Sequence, residues 1–314
     1  MRIVIPGGSG HVGRLLSRHF HEQGHEVTVL SRKPEPASWK TVVWDGRTLG
    51  AWAETLEGCD ACINLAGRSV NCRYTAKNRA EIYSSRIEST RVLGEAIAGL
   101  LKPPRVWLNA STATIYRHAL DRAMDETTGE LGGGEPGAPE TWNFSIRVAR
   151  DWEAAFFAAP AAGTRRVAMR SAVIMGPEPR APFALLSRLV RLGVGGANGS
   201  GEQYVSWVHP VDFVRAVEWL IGKETMEGAV NIAAPDPLPN RDFMRVLRAA
   251  WGRRIGVPAS VWMLEMAAFV MRTETELILK SRRVVPGRLL EAGFRFEFPE
   301  WPAAAGDLVA RSRG

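Results

Sequence analysis

Apolar and polar residues follow one another along this chain in blocks whose period switches between that of a strand and that of a helix. Arg2-Ile3-Val4-Ile5 is a short apolar run that breaks at Pro6-Gly7, and from Arg14-Leu15-Leu16 the apolar residues recur at helical spacing. Gly24-His25 turns the chain into a second strand, Glu26 to Leu30, and Thr41 to Gly46 gives a third. A fourth strand is predicted over 60–65, a long helix over about 75–101, and a fifth strand over 106–112. A helix over about 141–159 and a strand over 166–175 complete a sixth unit. Alternation of this kind predicts an α/β fold, a Rossmann-type doubly wound parallel sheet.

Beyond Gly176 the alternation stops. Pro177, Pro179 and Pro182 punctuate the chain, and the stretch 193–201 contains five glycines. Helices are expected over about 183–192, from Pro210, over 241–251 and over about 257–271, with a strand over 229–233. Residues 121–139, rich in acid and glycine, read as a loop able to cover a site. The expected division is a Rossmann domain over 1–176 and a smaller mixed C-terminal substrate-side lobe over 177–314, with about 209–235 packing back on the sheet.

The turn after the first strand changes this from a fold into a chemistry. Gly7, Gly8, Ser9, Gly10, His11, Val12 and Gly13 form G-x-x-G-x-x-G between a strand and an amphipathic helix. Bare backbone there lets a pyrophosphate approach the N–H groups of the first helical turn, where the helix dipole favours negative charge. A dinucleotide is the expected ligand, because the motif stands in the strand and helix context that it requires. The second strand ends in Ser31 and Arg32, with Lys33 behind. An acidic residue at that point would bind the ribose hydroxyls of NAD, whereas arginine accommodates a 2′-phosphate, so NADP is expected. Asp45, at the end of the third strand, either contacts the adenine amino group or starts a turn. Leu65, Ala66 and Gly67 end the fourth strand with small residues that let backbone lie against the cofactor.

Composition narrows the setting. With 314 residues and 46% hydrophobic content the chain fits a soluble globule. No apolar run reaches the ~20 residues of a membrane span, and the apolar start is too short for a signal peptide, so a cytoplasmic protein with no membrane partner is expected. The net charge is +7, but the basic residues are interleaved with acids and form no stripe, so no nucleic-acid partner is expected. The three cysteines, Cys59, Cys62 and Cys72, are expected to be free thiols; Cys59 and Cys62 form a C-x-x-C with no second pair.

These residues resemble the extended short-chain dehydrogenase/reductases. The resemblance rests on Gly7, Gly10 and Gly13, on Asn64 to Gly67, on Ser111-Thr112-Ala113-Thr114-Ile115-Tyr116, and on Trp207-Val208-His209-Pro210-Val211-Asp212. More narrowly, the chain is similar to the "epimerase family" branch that carries a DUF1731 segment, here over about 255–300. That closer match lies in Ser31-Arg32-Lys33-Pro34, in Ser85 to Thr90, in Gly195 to Gly201 with Trp207 to Asp212, and in Val285-Pro286 through Ala292-Gly293-Phe294-Arg295-Phe296. The resemblance implies NADP binding through Ser31, Arg32, Leu65, Ala66, Glu81 and Arg86 beside the glycine loop. It also implies a homodimer paired through the helices that flank the active site.

One departure stands out. Extended reductases carry Tyr-x-x-x-Lys on the helix after the fifth strand, the tyrosine to shuttle a proton and the lysine to lower its pKa. Alignment through Glu153 puts Ser145 at the tyrosine position and Ala149 at the lysine position. Alanine has no charge, and an unassisted serine hydroxyl is far too weak an acid. Thr112 occupies the place of the family's Ser/Thr that hydrogen-bonds a substrate carbonyl, and Tyr116 is a candidate acid. His209 is expected to be a structural cap before its helix, with a proton donor as the other reading. Arg147 and Arg150 either replace the missing cation or are solvated. Two functions follow: an NADP-dependent oxidoreductase or epimerase acting on a small molecule, or a non-catalytic sensor of NADP(H) that signals through a partner.

Overall fold

The computed structural model describes residues 1–33, 35–178 and 181–313; Pro34 and Pro179 lie outside the described residues. Its strands are β1 (Arg2–Pro6), β2 (Glu26–Ser31), β3 (Lys40–Val43), β4 (Ala61–Asn64), β5 (Val106–Thr112), β6 (Arg165–Ser171), β7 (Val173–Ile174), β8 (Tyr204–Val205), β9 (Trp207–Val208), β10 (Gly228–Ile232) and β11 (Leu238–Pro239). The helices are α1 (His11–Glu22), α2 (Ala76–Ala98), α3 (Glu140–Ala158), α4 (Pro182–Arg191), α5 (Pro210–Gly222), α6 (Asn240–Ala250), α7 (Val261–Val270), α8 (Glu276–Leu279), α9 (Gly287–Glu291) and α10 (Trp301–Arg311).

Seven strands form one parallel sheet in the order β10-β6-β5-β4-β1-β2-β3. Helices cover both faces, which is why the inner strands are continuous apolar runs rather than alternating ones: Ile3, Val4 and Ile5 are all buried. On one face Leu16 and Phe20 of α1 and Val214, Val217 and Leu220 of α5 join the strand residues in a core. On the other, Val92, Leu93 and Ile97 of α2 pack with Trp107 and Phe156. Because every strand runs the same way, the turns after β1, β2, β4 and β5 gather at one edge, where open α/β sheets hold their ligands.

Two local features differ from the sequence reading. The strand expected over 166–175 breaks at Ala172, whose N–H bonds Ile232 O while the N–H of Val173 turns to Ser206 O. β7 therefore leaves the large sheet and pairs with β9. The helix expected from Val257 begins only at Val261, because 257–259 pairs as extended chain with the glycine-rich stretch: Gly196 N–H bonds Val257 O and Ala259 N–H bonds Ala197 O. β10 joins the sheet beside β6, and α5 packs on α1, so residues 209–235 complete the Rossmann sheet from beyond Gly176. Trp207, Phe243 and Trp301 hold a separate C-terminal core, with Phe243 and Trp301 stacked at 4.0 Å between ring centroids. Among the described residues no helix is long and apolar enough to cross a membrane.

Candidate active site

The glycine turn is shaped by what surrounds it. Gly7 has φ +78, in the left-handed region that favours glycine, and a Cβ there would stand 2.7 Å from Ala66 N. A Cβ on Gly13 would stand 2.4 Å from Gly8 Cα, and one on Gly8 would stand 2.7 Å from the Val29 side chain. These three glycines let strand, turn and α1 close on one another. Gly10 has no such reason to be bare. Its φ of −71 suits any residue, and a Cβ would meet only Gly7 O at 3.5 Å. A side chain at Gly10 would stand at the N-terminus of α1, which Gly10 itself caps. That terminus has no side-chain cap and no acid in its first turn, so its N–H groups are left to an outside anion. His11 lies 3.6 Å from Glu178, and Val12 packs against the core.

The neighbouring strand ends converge on this turn. The Ser31 and Ser9 hydroxyls lie 3.0 Å apart in a hydrogen bond that ties β2 to the loop, and Arg32 stands exposed beyond it. Asn64 Nδ2 donates to Asn109 Oδ1 at 2.7 Å while its Oδ1 accepts from Ala66 N–H at 3.0 Å, which fixes Leu65 and Ala66 against the glycine loop. Arg86 lies beneath Gly67, donates to the carbonyls of Arg68 and Ile82, and spreads over the Trp152 ring at 5.1 Å. Burial lowers its pKa to about 10, still cationic at neutral pH. Glu81 pairs with Arg68 on the same side. Asp45 is exposed and closes a turn, accepting from Arg47 N–H, Thr48 N–H and the Thr48 hydroxyl. Those bonds, the hydroxyl first, pull its pKa down to about 2. Of the two readings for Asp45, its carboxylate is engaged in the turn.

At the end of β5, Thr112 Oγ1 accepts from Thr114 N–H at 3.2 Å and caps the 3-10 turn Ala113–Ile115. One of its two lone pairs is thus occupied, and its hydroxyl hydrogen has no acceptor among the hydrogen bonds of the described residues. Tyr116 is not an acid facing the cleft. It is 2% exposed, its hydroxyl donates to Asn231 Oδ1 at 2.9 Å, and it accepts from Arg170 at 2.9 Å. The cation beside it, Arg170, comes from β6, a neighbour that sequence spacing does not reveal. Even so burial outweighs Arg170 and raises the Tyr116 pKa. Arg170 is held in turn by Glu153 through two bonds of 2.7 and 2.8 Å, and the Ser111 hydroxyl donates to the same carboxylate.

Ser145 and Ala149, which alignment puts at the tyrosine and lysine positions, differ in their surroundings from the sequence reading. Ala149 is buried. Arg147 and Arg150 point outward, Arg147 toward Glu140 at 3.8 Å, so they are the solvated alternative. Ser145, however, is not unassisted. Its hydroxyl donates to Glu276 at 2.5 Å, and the Tyr74 hydroxyl lies 3.3 Å from it. Glu276, Lys280 and Arg282 all come from the C-terminal segment and are all buried. Lys280 Nζ donates to Thr114 O at 2.7 Å, Arg282 Nε donates to Thr114 Oγ1 at 3.0 Å, and Arg282 lies 3.4 Å from Glu276. Burial pushes the Glu276 carboxyl up and the Lys280 ammonium down to about 7, with Arg282 adding to the latter. The sequence reading missed this group. Its only trace was the placing of charges at 276, 280 and 282 around the apolar 277–279, a pattern shared with any solvated helix end.

The remaining candidates are structural. His209 is buried, caps α5 by accepting from Val211 N–H, and meets Asp307 at 3.0 Å. Cys59 and Cys62 are buried free thiols, and burial pushes Cys59 up to about 12. Among the described residues no group of His, Cys, Asp and Glu is arranged to hold a metal ion.

Comparison with known proteins agrees with this geometry. Residues 3–233 match the model of the NAD dependent epimerase/dehydratase family, and residues 258–308 match a domain of unknown function, DUF1731. The epimerase family protein SDR39U1 of Homo sapiens is 32% identical over 313 residues, covering 99% of this chain and 100% of the relative. The epimerase family protein YfhF of Bacillus subtilis (strain 168) is 29% identical over 312 residues, covering 99% and 98%. The crystal structure of human SDR39U1 (isoform 2) with NADPH superposes with a TM-score of 0.85 at 30% identity over 99% of both chains. A UDP-N-acetylglucosamine 4-epimerase from Bacillus cereus shares the fold, with a TM-score of 0.74 at 17% identity over 99% of both chains. A glycine turn bare toward the helix terminus, set in a seven-stranded parallel sheet and matched over 231 residues by one family model, settles the kinship: this chain belongs to the NAD dependent epimerase/dehydratase family.

Proposed function

We propose that the protein binds NADP(H) across the carboxyl edge of its sheet and acts as an oxidoreductase or epimerase on a small molecule. The observation that carries this reading is Gly10, a glycine that neither packing nor backbone conformation requires, kept bare over an uncapped helix terminus. The residues present fit a dinucleotide. The α1 N–H groups would hold the pyrophosphate, Leu65 to Gly67 would lie along the ribose, and Arg32 with Ser31 and Ser9 would receive a 2′-phosphate. When bound, the nicotinamide supplies the hydride chemistry.

The chain's own part is orientation, polarisation and proton transfer. Thr112 accepts from Thr114 N–H on one lone pair, which orients its hydroxyl and leaves the hydrogen free to donate to a substrate carbonyl oxygen. Arg86, cationic and fixed by two carbonyls, braces the β4 loop rather than reacting.

Titration with NADPH and NADH, followed by quenching of the eleven tryptophans, tests the reading. NADPH is expected to bind at least tenfold tighter than NADH, and Arg32→Ala is expected to remove most of that preference, a loss of about 1.4 kcal/mol for each tenfold. Equal binding of both nucleotides would remove NADP from the proposal, and binding of neither would overturn it.

A further inference from the structure

The loss of the family's tyrosine and lysine leaves a reductase cleft without its usual proton donor, and the C-terminal segment fills that place with a different group. We propose that Ser145 Oγ is the atom that exchanges a proton with the substrate, and that Glu276, acting through Ser145, is where that proton is stored. This inference rests on the dinucleotide reading above.

The hydrogen-bond directions carry it. A serine hydroxyl has one hydrogen and two lone pairs. Ser145 gives its hydrogen to Glu276 Oε2 at 2.5 Å, so the Tyr74 hydroxyl at 3.3 Å must donate to Ser145 rather than accept from it. One lone pair of Ser145 is left. Ser145 is half-buried and Glu276 is 1% exposed, so the serine is the accessible end of the pair and the carboxyl is its sheltered end. Substrate hydroxyl, Ser145 and Glu276 then form a chain in which every oxygen has a partner.

The step balances. In alcohol oxidation the substrate O–H bond breaks as Ser145 Oγ takes that proton, and the Ser145 O–H bond breaks as Glu276 Oε2 takes the serine's own proton. The substrate C–H electron pair leaves as hydride to an oxidised nicotinamide dinucleotide, which is reduced, and the carbonyl forms. Reduction runs the same bonds in reverse.

The surroundings suit a carboxyl that must both take and release a proton. Arg282, 3.4 Å away, and Lys280 favour the charged form, while burial and the nearby Glu274 favour the neutral one, and together they leave the carboxyl above its ordinary pKa. Lys280 donates to Thr114 O, with Arg282, Glu276, Glu135 and His118 as its charged or titratable neighbours. Tyr74, pushed up to about 12 chiefly by burial, keeps its own proton through the neutral range and serves as a fixed donor to Ser145.

Infrared titration of the full chain tests this, following the carboxyl band that is lost in Glu276→Gln, with NADPH or NADP⁺ bound. The expected midpoint lies above the usual glutamate value of about 4.3, and the band moves in frequency in Ser145→Ala, which removes its donor. The deciding readout is the redox state. An oxidised nicotinamide carries a positive charge that the reduced one lacks, so the midpoint is expected to be lower by roughly half a unit or more with NADP⁺. A carboxyl held away from the cleft, out of reach of the nicotinamide and unable to serve it through Ser145, would keep one midpoint in both. Should Glu276→Gln fail to fold, the shift between wild type and Ser145→Ala assigns the band instead. Tryptophan quenching in the same samples separates the two proposals. Quenching with an unmoved midpoint overturns this inference alone, and absence of quenching by either nucleotide overturns the cofactor reading and this inference with it.

Discussion

The glycine turn and the cluster around Ser145 share one edge of one sheet but are assembled in opposite ways. The turn is seven consecutive residues, and the groups that complete it lie at the ends of adjacent strands, so its geometry is written locally. The cluster joins residues that the chain keeps far apart: Ser145 and Glu276 are separated by 131 positions, and Thr114 and Arg282 by 168. The turn works by what is missing, since bare backbone leaves room and N–H groups for a ligand. The cluster works by what is crowded in, since two buried cations and a carboxyl shift each other's protonation. A binding site for a common cofactor can thus stay local and legible, while the group that moves a proton is replaced from elsewhere in the chain.

The largest effect is expected where buried charge would be left unpaired. Arg170→Met strands Glu153, which is buried with both oxygens engaged, and should cost about 3–5 kcal/mol in chemical denaturation. If the cost is below 1 kcal/mol, the proton side of the cleft is less dependent on its buried network than this comparison holds.

Next comes Gly10→Val, which separates the turn as a ligand cradle from the turn as a packing element. A Cβ there meets only Gly7 O, at ordinary contact distance, so the unfolding midpoint should stay close to wild type while NADPH affinity falls at least 100-fold, about 2.7 kcal/mol. A large stability loss with unchanged affinity would reverse the assignment. Gly13→Ala is the contrasting variant, because its Cβ meets Gly8 backbone at 2.4 Å and both quantities should fall.

Tyr116→Phe should be smaller, about 1–2 kcal/mol of stability, because Asn231 and Arg170 each lose a partner. NADPH affinity should not change, and a change would return Tyr116 to the cleft.

The smallest effect is a pH dependence. Burial depresses the His209 pKa below the unfolded value of about 6.5, despite Asp307 beside it. Above that value both states are neutral and the full contribution is present. As the pH falls below it the unfolded chain takes up a proton that the native one does not, and stability declines until the pH reaches the folded pKa. His209→Asn should flatten this part of a stability profile between pH 5 and 7, by about 1 kcal/mol or less; an unchanged slope would assign it to other groups.

The parallel sheet, the cofactor turn and the kinship were legible in the order of residues along the chain. Each rests on residues close in the chain: an apolar run between two breaks, glycines at fixed spacing, an arginine just past a strand. That order also made plain that Tyr-x-x-x-Lys is absent, and it placed His209 before a helix as a cap. What surrounds Ser145 came from packing alone. The same packing took Tyr116 into the core through Arg170 and Asn231, and it brought Tyr74 and Glu276 onto Ser145 from two distant segments. The reason is physical. A turn's shape follows from the φ values and clearances of its own residues, but a buried carboxyl's partner is chosen by how separate elements pack, and charges at 276, 280 and 282 read the same in a sequence whether they end in water or in the core.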